Sequence, residues 1–126
     1  MVYAYHESEN ALANARFFIN HALHANAHFI FLINGASLLE REIPTHLPNI
    51  EIYLRQNTCY DLGSYGEVLG DNDRYLAKKY KKFILLNSSI RGPFLPVWSR
   101  TCWTDVYRDM VSDTIKVRAL NRSEAL

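Results

Sequence analysis

The chain has 126 residues, 48% of them hydrophobic and 21% charged, which suits one globular domain with a single core burying roughly two-thirds of the extended-chain surface. Its formal charge of +1 makes no large field of either sign, so neither general nucleic-acid affinity nor attachment to an acidic membrane follows from the overall balance. A charged ligand must be met locally, and the longest apolar runs, Phe29–Ile33 and Phe83–Leu86, fall far short of the ~20 residues that span a bilayer as a helix.

Val2-Tyr3-Ala4-Tyr5 is a short, β-prone opening with no basic segment and apolar stretch ahead of it, so no signal peptide is read. The expected location is cytoplasmic, or the Golgi or secretory lumen if an N-terminal anchor is missing. Ser8 offers a helix N-cap with Glu9 in the first turn. Leu12, Ala15, Ile19, Ala22 and Leu23 then recur at helical spacing as one apolar stripe, predicting a helix to about Asn26. Phe29–Ile33 is apolar at every position, as a central strand covered on both faces must be, and Asn34-Gly35 ends it in a turn. Residues 37–49, with Pro44 and Pro48, read as a connection, and Ile50–Arg55 alternates like a half-buried edge strand.

Asp61–Gly70 and Asp73–Lys82 have helical spacing interrupted at Gly70-Asp71-Asn72-Asp73, which predicts two helical pieces. Phe83–Leu86 supplies the next fully buried strand. Gly92, Pro93 and Pro96 break the structure after it, Thr104–Ser112 forms a short helix, and Thr114–Val117 returns as a strand. Strands alternating with helices define an α/β chain with a mostly parallel sheet and flanking helices. Ligands of such sheets bind beyond the carboxyl ends of the strands, so His6-Glu7-Ser8, Asn34-Gly35, Arg55–Gly66 and Asn87–Phe94 carry the functional interest.

Asn87-Ser88-Ser89-Ile90-Arg91-Gly92-Pro93 combines an amide and hydroxyls for ribose or phosphate oxygens, a guanidinium for phosphate charge and a glycine for close approach. The same residues also read as a strand end capped by small polar groups with a solvated arginine. Asp61 either accepts hydrogen bonds from a ribose or amino group or caps the helix it precedes, and neither role excludes the other. No G-x-x-x-x-G-K-[ST] or G-x-G-x-x-G pattern occurs, which argues against a P-loop ATPase or a dinucleotide-dependent dehydrogenase.

His21, His24 and His28 project opposite the apolar stripe, where solvent explains them better than a metal does. Lys78, Lys79, Lys81 and Lys82 complement a helix C-terminus rather than form a nucleic-acid or membrane patch. Cys59 and Cys102 lack a C-x-x-C spacing and read either as two buried thiols or as one disulfide in an oxidising lumen. No spacing pairs Cys59 with a histidine as a nucleophile. Asn87-Ser88-Ser89 and Asn121-Arg122-Ser123 fit the glycosylation sequon, a pattern too short to carry weight.

Three stretches, Asn57-Thr58-Cys59-Tyr60-Asp61-Leu62-Gly63-Ser64-Tyr65, Leu86-Asn87-Ser88-Ser89-Ile90-Arg91-Gly92-Pro93-Phe94 and Cys102-Trp103-Thr104-Asp105, together resemble a glycosyltransferase-like family related to bacterial rhamnan-synthesis proteins. That family has a GT-A type, Rossmann-like nucleotide-sugar fold. The middle stretch is the most specific, and the resemblance runs from about Val2 to Val117. It implies a nucleoside diphosphate sugar as ligand and transfer of the sugar to an acceptor. His6 and Glu7 would approach the nucleotide, Asp61 would border the donor, and Asn87, Ser88, Ser89, Arg91 and Gly92 would lie near the diphosphate.

Where GT-A proteins commonly carry Asp-x-Asp to hold manganese or magnesium, this chain has Asn87-Ser88-Ser89. A hard-cation site would have to draw instead on Asp61 or Asp105. Residues 1–117 thus read as a nucleotide-sugar-binding domain, incomplete relative to a full GT-A domain, and 118–126 as a divergent tail. The half that usually supplies the acceptor site and catalytic base has no counterpart, so no catalytic residue is assigned. The competing expectation is a non-catalytic α/β interaction module or an inactive glycosyltransferase fragment.

Overall fold

A computed structural model describes residues 1–56, 61–96 and 98–115, with the side chains of 61 and 71–75 outside that description. Its elements run β1 (Val2–His6), α1 (Glu9–Ala22), β2 (Phe29–Asn34), a 3-10 turn (Leu39–Arg41), β3 (Ile50–Arg55), α2 (Asp61–Lys79), β4 (Leu85–Asn87) and α3 (Trp103–Asp109). The four strands form one all-parallel sheet in the order β3-β2-β1-β4. From β1 to β2 to β3 the chain steps one way across the sheet with α1 and the 3-10 turn on one face. From β3 to β4 it jumps back with α2 on the other face, so all the crossovers share one hand.

Strand alternation divides the core into two layers. Tyr3, Tyr5, Phe29, Phe31, Ile33 and Ile50 pack with Ala11, Ala15 and Phe18 of α1 and Trp103 of α3. On the opposite face Val2, Ala4, Ile30 and Leu32 pack with Tyr65, Val68 and Leu76 of α2. β2 is buried at all six positions, as its unbroken apolar run requires, and β3 lies at the edge as its alternation predicts. Gly35 turns the chain after β2 at φ 91°, a conformation that only glycine adopts without strain, and its N–H donates to the Arg55 carbonyl at 2.9 Å.

Ser8 caps α1 as read, its Oγ accepting from the Ala11 N–H at 3.1 Å. The helix stops at Ala22, four residues short of the expected Asn26, and tertiary partners take up carbonyls at and beyond its end. Trp103 Nε1 donates to Ala22 O at 2.8 Å, and the Asn49 amide donates to His24 O at 2.9 Å and Ala27 O at 2.7 Å. The buried stripe is also rotated from the predicted one: Ala11, Asn14, Ala15, Phe18 and Ala22 are buried, whereas Leu12, Ile19 and Leu23 are half-buried at its border.

α2 is one helix of 19 residues rather than two. Tyr65, Val68 and Leu76 share one buried face, and that packing outweighs the propensity cost of Gly70 on the exposed side. β4 departs from the expected buried strand. It is a three-residue edge that pairs with β1, and Leu85 is 41% exposed. Thr114 and Ile115, expected to begin a strand, lie in a bend closed by Ser112 N–H to Ile115 O at 2.9 Å, and the rest of that segment is outside the described residues. Among the described residues no helix is long and apolar enough to cross a membrane.

Candidate functional site

Every strand points its carboxyl end at the same rim, where His6, Asn34 and Arg55 stand in register and Asn87 ends β4 beside Ala4. The strand order reverses between β1 and β4, since the connection leaving β1 goes to β2 and the one arriving at β4 comes from β3. Ligands of open parallel sheets bind in a crevice outside the carboxyl ends of the strands, and here the chain leaving β4 packs on the helix that β1 runs into, through Ser88, Phe94 and Trp103. Residues 6–8 and the loop after Asn87 stand side by side at this rim, with Ser88 N–H bonded to Ala4 O, and α1 begins there. An open groove of ≈ 500 Å³ lies at Ser8, Glu9, Asn10 and Ala13.

The crevice residues are held by specific partners. His6 Nδ1 donates to Asn34 O at 3.0 Å, which fixes the proton on that nitrogen and leaves Nε2 as the acceptor of the neutral ring. Glu7 accepts from the Tyr5 hydroxyl at 3.0 Å, and burial together with this carboxylate pushes the Tyr5 phenol up to about 12. Asn87 Oδ1 accepts from the Ser89 N–H at 3.2 Å and from its hydroxyl at 2.5 Å, closing the turn after β4 on itself. Ser88 is buried and sewn on both sides: its N–H donates to Ala4 O at 3.0 Å and its carbonyl accepts from buried Asn14 Nδ2 at 2.9 Å. Ser88 therefore anchors the loop to β1 and α1.

Arg91 is exposed, with its guanidinium 4.5 Å above the Phe17 ring. Phe17 lies eight residues into α1, roughly 12 Å along the axis from Glu9. The cation expected at the diphosphate thus rests two turns down the helix, and the crevice carries Glu7 and Glu9 nearer its mouth. A Cβ at Gly92 would meet only ordinary contacts with Phe94, at 3.6 and 3.8 Å. The Asp61 side chain lies outside the described residues, while its backbone begins α2. Among the described residues no group of three or more His, Cys, Asp or Glu side chains is arranged to hold a metal ion.

A second polar network at the rim lies one strand away. Arg55 Nη1 donates to Asn34 Oδ1 at 2.8 Å and to Ser64 Oγ at 2.7 Å, and the other side of the guanidinium pairs with Glu67 at 2.7–2.9 Å. Asn34 and Ser64 are buried, so Arg55 ties the first turn of α2 to the ends of β2 and β3. An open groove of ≈ 570 Å³ between β3 and α2 borders this cluster at Arg55, Gly66 and Glu67. The signal for it was Asn34, the first polar residue after an apolar strand, but the pairing with Arg55 and Ser64 is a matter of register.

The three histidines separate. His21 is exposed on α1 and stacked on Phe17, centroids 4.2 Å apart. His24 lies beyond the helix end, with Nε2 3.2 Å from Thr104 Oγ1 and 3.5 Å from the free thiol of Cys102; Cys59 is outside the described residues. The His28 imidazole is buried, with Nδ1 2.8 Å from the Tyr80 hydroxyl and Nε2 3.0 Å from Glu51.

Burial lowers the pKa of both His24 and His28, with Asp105 and Glu51 respectively opposing it in part. The unfolded chain therefore binds these protons first as pH falls. Stability is fully present above the unfolded value of ~6.5 and declines through the window below it. Urea midpoints are expected to fall between pH 7 and pH 5, with a shallower fall in His28→Gln; a flat or rising profile would contradict this account.

Comparison with known proteins finds no matching family, no matching curated protein and no matching solved structure.

Proposed function

We propose that this chain is a glycosyltransferase-like domain that binds a nucleoside diphosphate sugar in the crevice between β1 and β4. The observation that carries the reading is the pairing of β4 with β1: His6-Glu7 and the Asn87–Gly92 loop, far apart in sequence, lie at the carboxyl ends of adjacent parallel strands. First-turn N–H groups of α1 other than that of Ala11, which Ser8 caps, would meet an anion there, supplemented by the helix dipole. His6 Nε2 is a ready acceptor for a base or ribose donor. Arg91 serves the diphosphate only by leaving Phe17, so ligand binding on this reading breaks the cation–π contact. The described residues supply no clustered carboxylates for a metal, and no group in the crevice is assigned a catalytic role.

The test is a thermal-shift panel of uridine, guanosine, thymidine and cytidine diphosphates and their sugars, with and without manganese. A selective, saturable rise is expected, worth ~2.7 kcal/mol at a ligand concentration about 100-fold above Kd, and weaker in Arg91→Ala. A flat panel from folded protein, with the variant equally inert, would count against the reading.

A second reading has its own observation. Ile90, Phe94 and Trp98 are exposed on the loop beside the short β4 edge, which suits a non-catalytic module that docks on a partner. Association that depends on protein concentration, without any nucleotide response, would favour it.

A further inference from the structure

The segment after β4 carries large apolar side chains that nucleotide binding does not use. Between residues 90 and 98, Ile90, Phe94, Leu95 and Trp98 are 59%, 57%, 38% and 79% exposed. Soluble surfaces seldom present large apolar side chains so densely unless something covers them. Arg91 and Arg100, both exposed, lie among and just after them. Phe17 of α1 supports the first part, with Phe94 at 5.0 Å and the Arg91 guanidinium at 4.5 Å, so an apolar ring and a cation are presented side by side.

The loop's own charges are of one sign, Arg91 and Arg100 with no Asp or Glu between residues 88 and 101. The whole chain is nearly neutral, yet half of its 14 lysines and arginines, seven, fall between residues 74 and 104, and no Asp or Glu occurs in that stretch. Lys82 Nζ donates to Arg108 O at 3.1 Å and Val111 O at 3.0 Å, which brings the basic segment that ends α2 to the end of α3. The acids of α3, Asp105 and Asp109, are both engaged by Arg108, at 2.9 and 3.3 Å.

We propose that the 88–101 loop is a membrane-surface contact that seats Trp98, Phe94, Leu95 and Ile90 among the headgroups of an anionic bilayer, with Arg91 and Arg100 facing lipid phosphates and carboxylates. Tryptophan suits that depth, since its ring is apolar and its N–H remains wet. Cations held near such a surface add to the apolar term, and the attraction fades with salt.

The chain carries its own reporter. Trp98 is exposed and Trp103 is buried at 6%, so a change in emission on adding vesicles comes from Trp98. Mixed phosphatidylserine–phosphatidylcholine vesicles are expected to shift the emission to the blue and to sediment the protein at low salt, and phosphatidylcholine alone to do neither. Arg100→Gln should weaken binding about fivefold, the share of one surface cation. Trp98→Ser should abolish sedimentation while leaving the thermal midpoint in place, and Trp98→Phe should retain it.

No sedimentation by the folded chain would overturn the proposal, as would equal binding to neutral vesicles or binding indifferent to Trp98→Ser. Dimerisation without lipid that Trp98→Ser removes would assign the patch to a second copy instead. The nucleotide panel runs without lipid, so failure of one reading is distinguishable from failure of the other.

Discussion

Phe18→Ala is expected to lower the folding free energy by about 3–5 kcal/mol, a large share of the 5–15 kcal/mol typical of a domain. Phe18 is 2% exposed and is the hub of the α1 layer. Its ring centroid lies 4.6 Å from Tyr3, 6.3 Å from Phe29 and from Phe31, and 5.9 Å from Trp103, joining β1, β2, α1 and α3. Removing it opens a cavity walled by rigid rings that collapse poorly, so both the transfer and the cavity contributions apply.

The control is Leu12→Ala. Leu12 sits at the centre of the stripe expected from helical spacing but at the border of the one that is buried, and its truncation should cost only about 1–2 kcal/mol. Urea denaturation followed by tryptophan fluorescence measures both. A larger loss from Leu12 than from Phe18 would mean that α1 is rotated back to the predicted face.

The second large effect is expected at Arg55. Arg55→Met should cost roughly 2–4 kcal/mol, because it deprives buried Asn34 and Ser64 of a charged donor while saving little desolvation. Glu67→Gln should cost under ~1 kcal/mol, since the carboxylate is 54% exposed and already solvated. Arg55→Lys should fall nearer to Met than to wild type: one ammonium cannot serve the Asn34–Ser64 side and the Glu67 side at once. The same denaturation curves decide it. If Glu67→Gln proves as costly as Arg55→Met, the exposed ion pair carries the energy and the buried network does not.

These two sites also mark how far sequence reading reaches. The α1 cap at Ser8, the central placement of β2, the edge placement of β3 and the turn at Gly35 were all legible, because each follows from a property of a few adjacent residues. The end of α1 was not, since Ala22 O is satisfied by Trp103, 81 residues away. Nor was the continuity of α2 across Gly70, where local propensity argued for a break and contacts with β1 and β2 overrode it. The crevice residues divide in the same way. His6, Glu7 and Asn87–Gly92 were picked out because they follow strands, and the pairing of β4 with β1 brings the two segments to one place. Arg91 was picked out by its charge and by the resemblance, and its resting contact with Phe17 was not legible.

By itself the sequence determined an α/β chain whose strands are buried or half-buried according to their patterning, because hydrophobic periodicity records which faces must leave water. It also determined that polar residues would gather at the strand ends. Only the tertiary structure decided that β4 lies beside β1 as a short edge, that α1 presents Phe18 rather than Leu12, and that Arg55 is committed to Asn34 and Ser64. Those outcomes depend on which distant segments compete for the same face or the same hydrogen bond, and that competition is settled only when all of them are packed together.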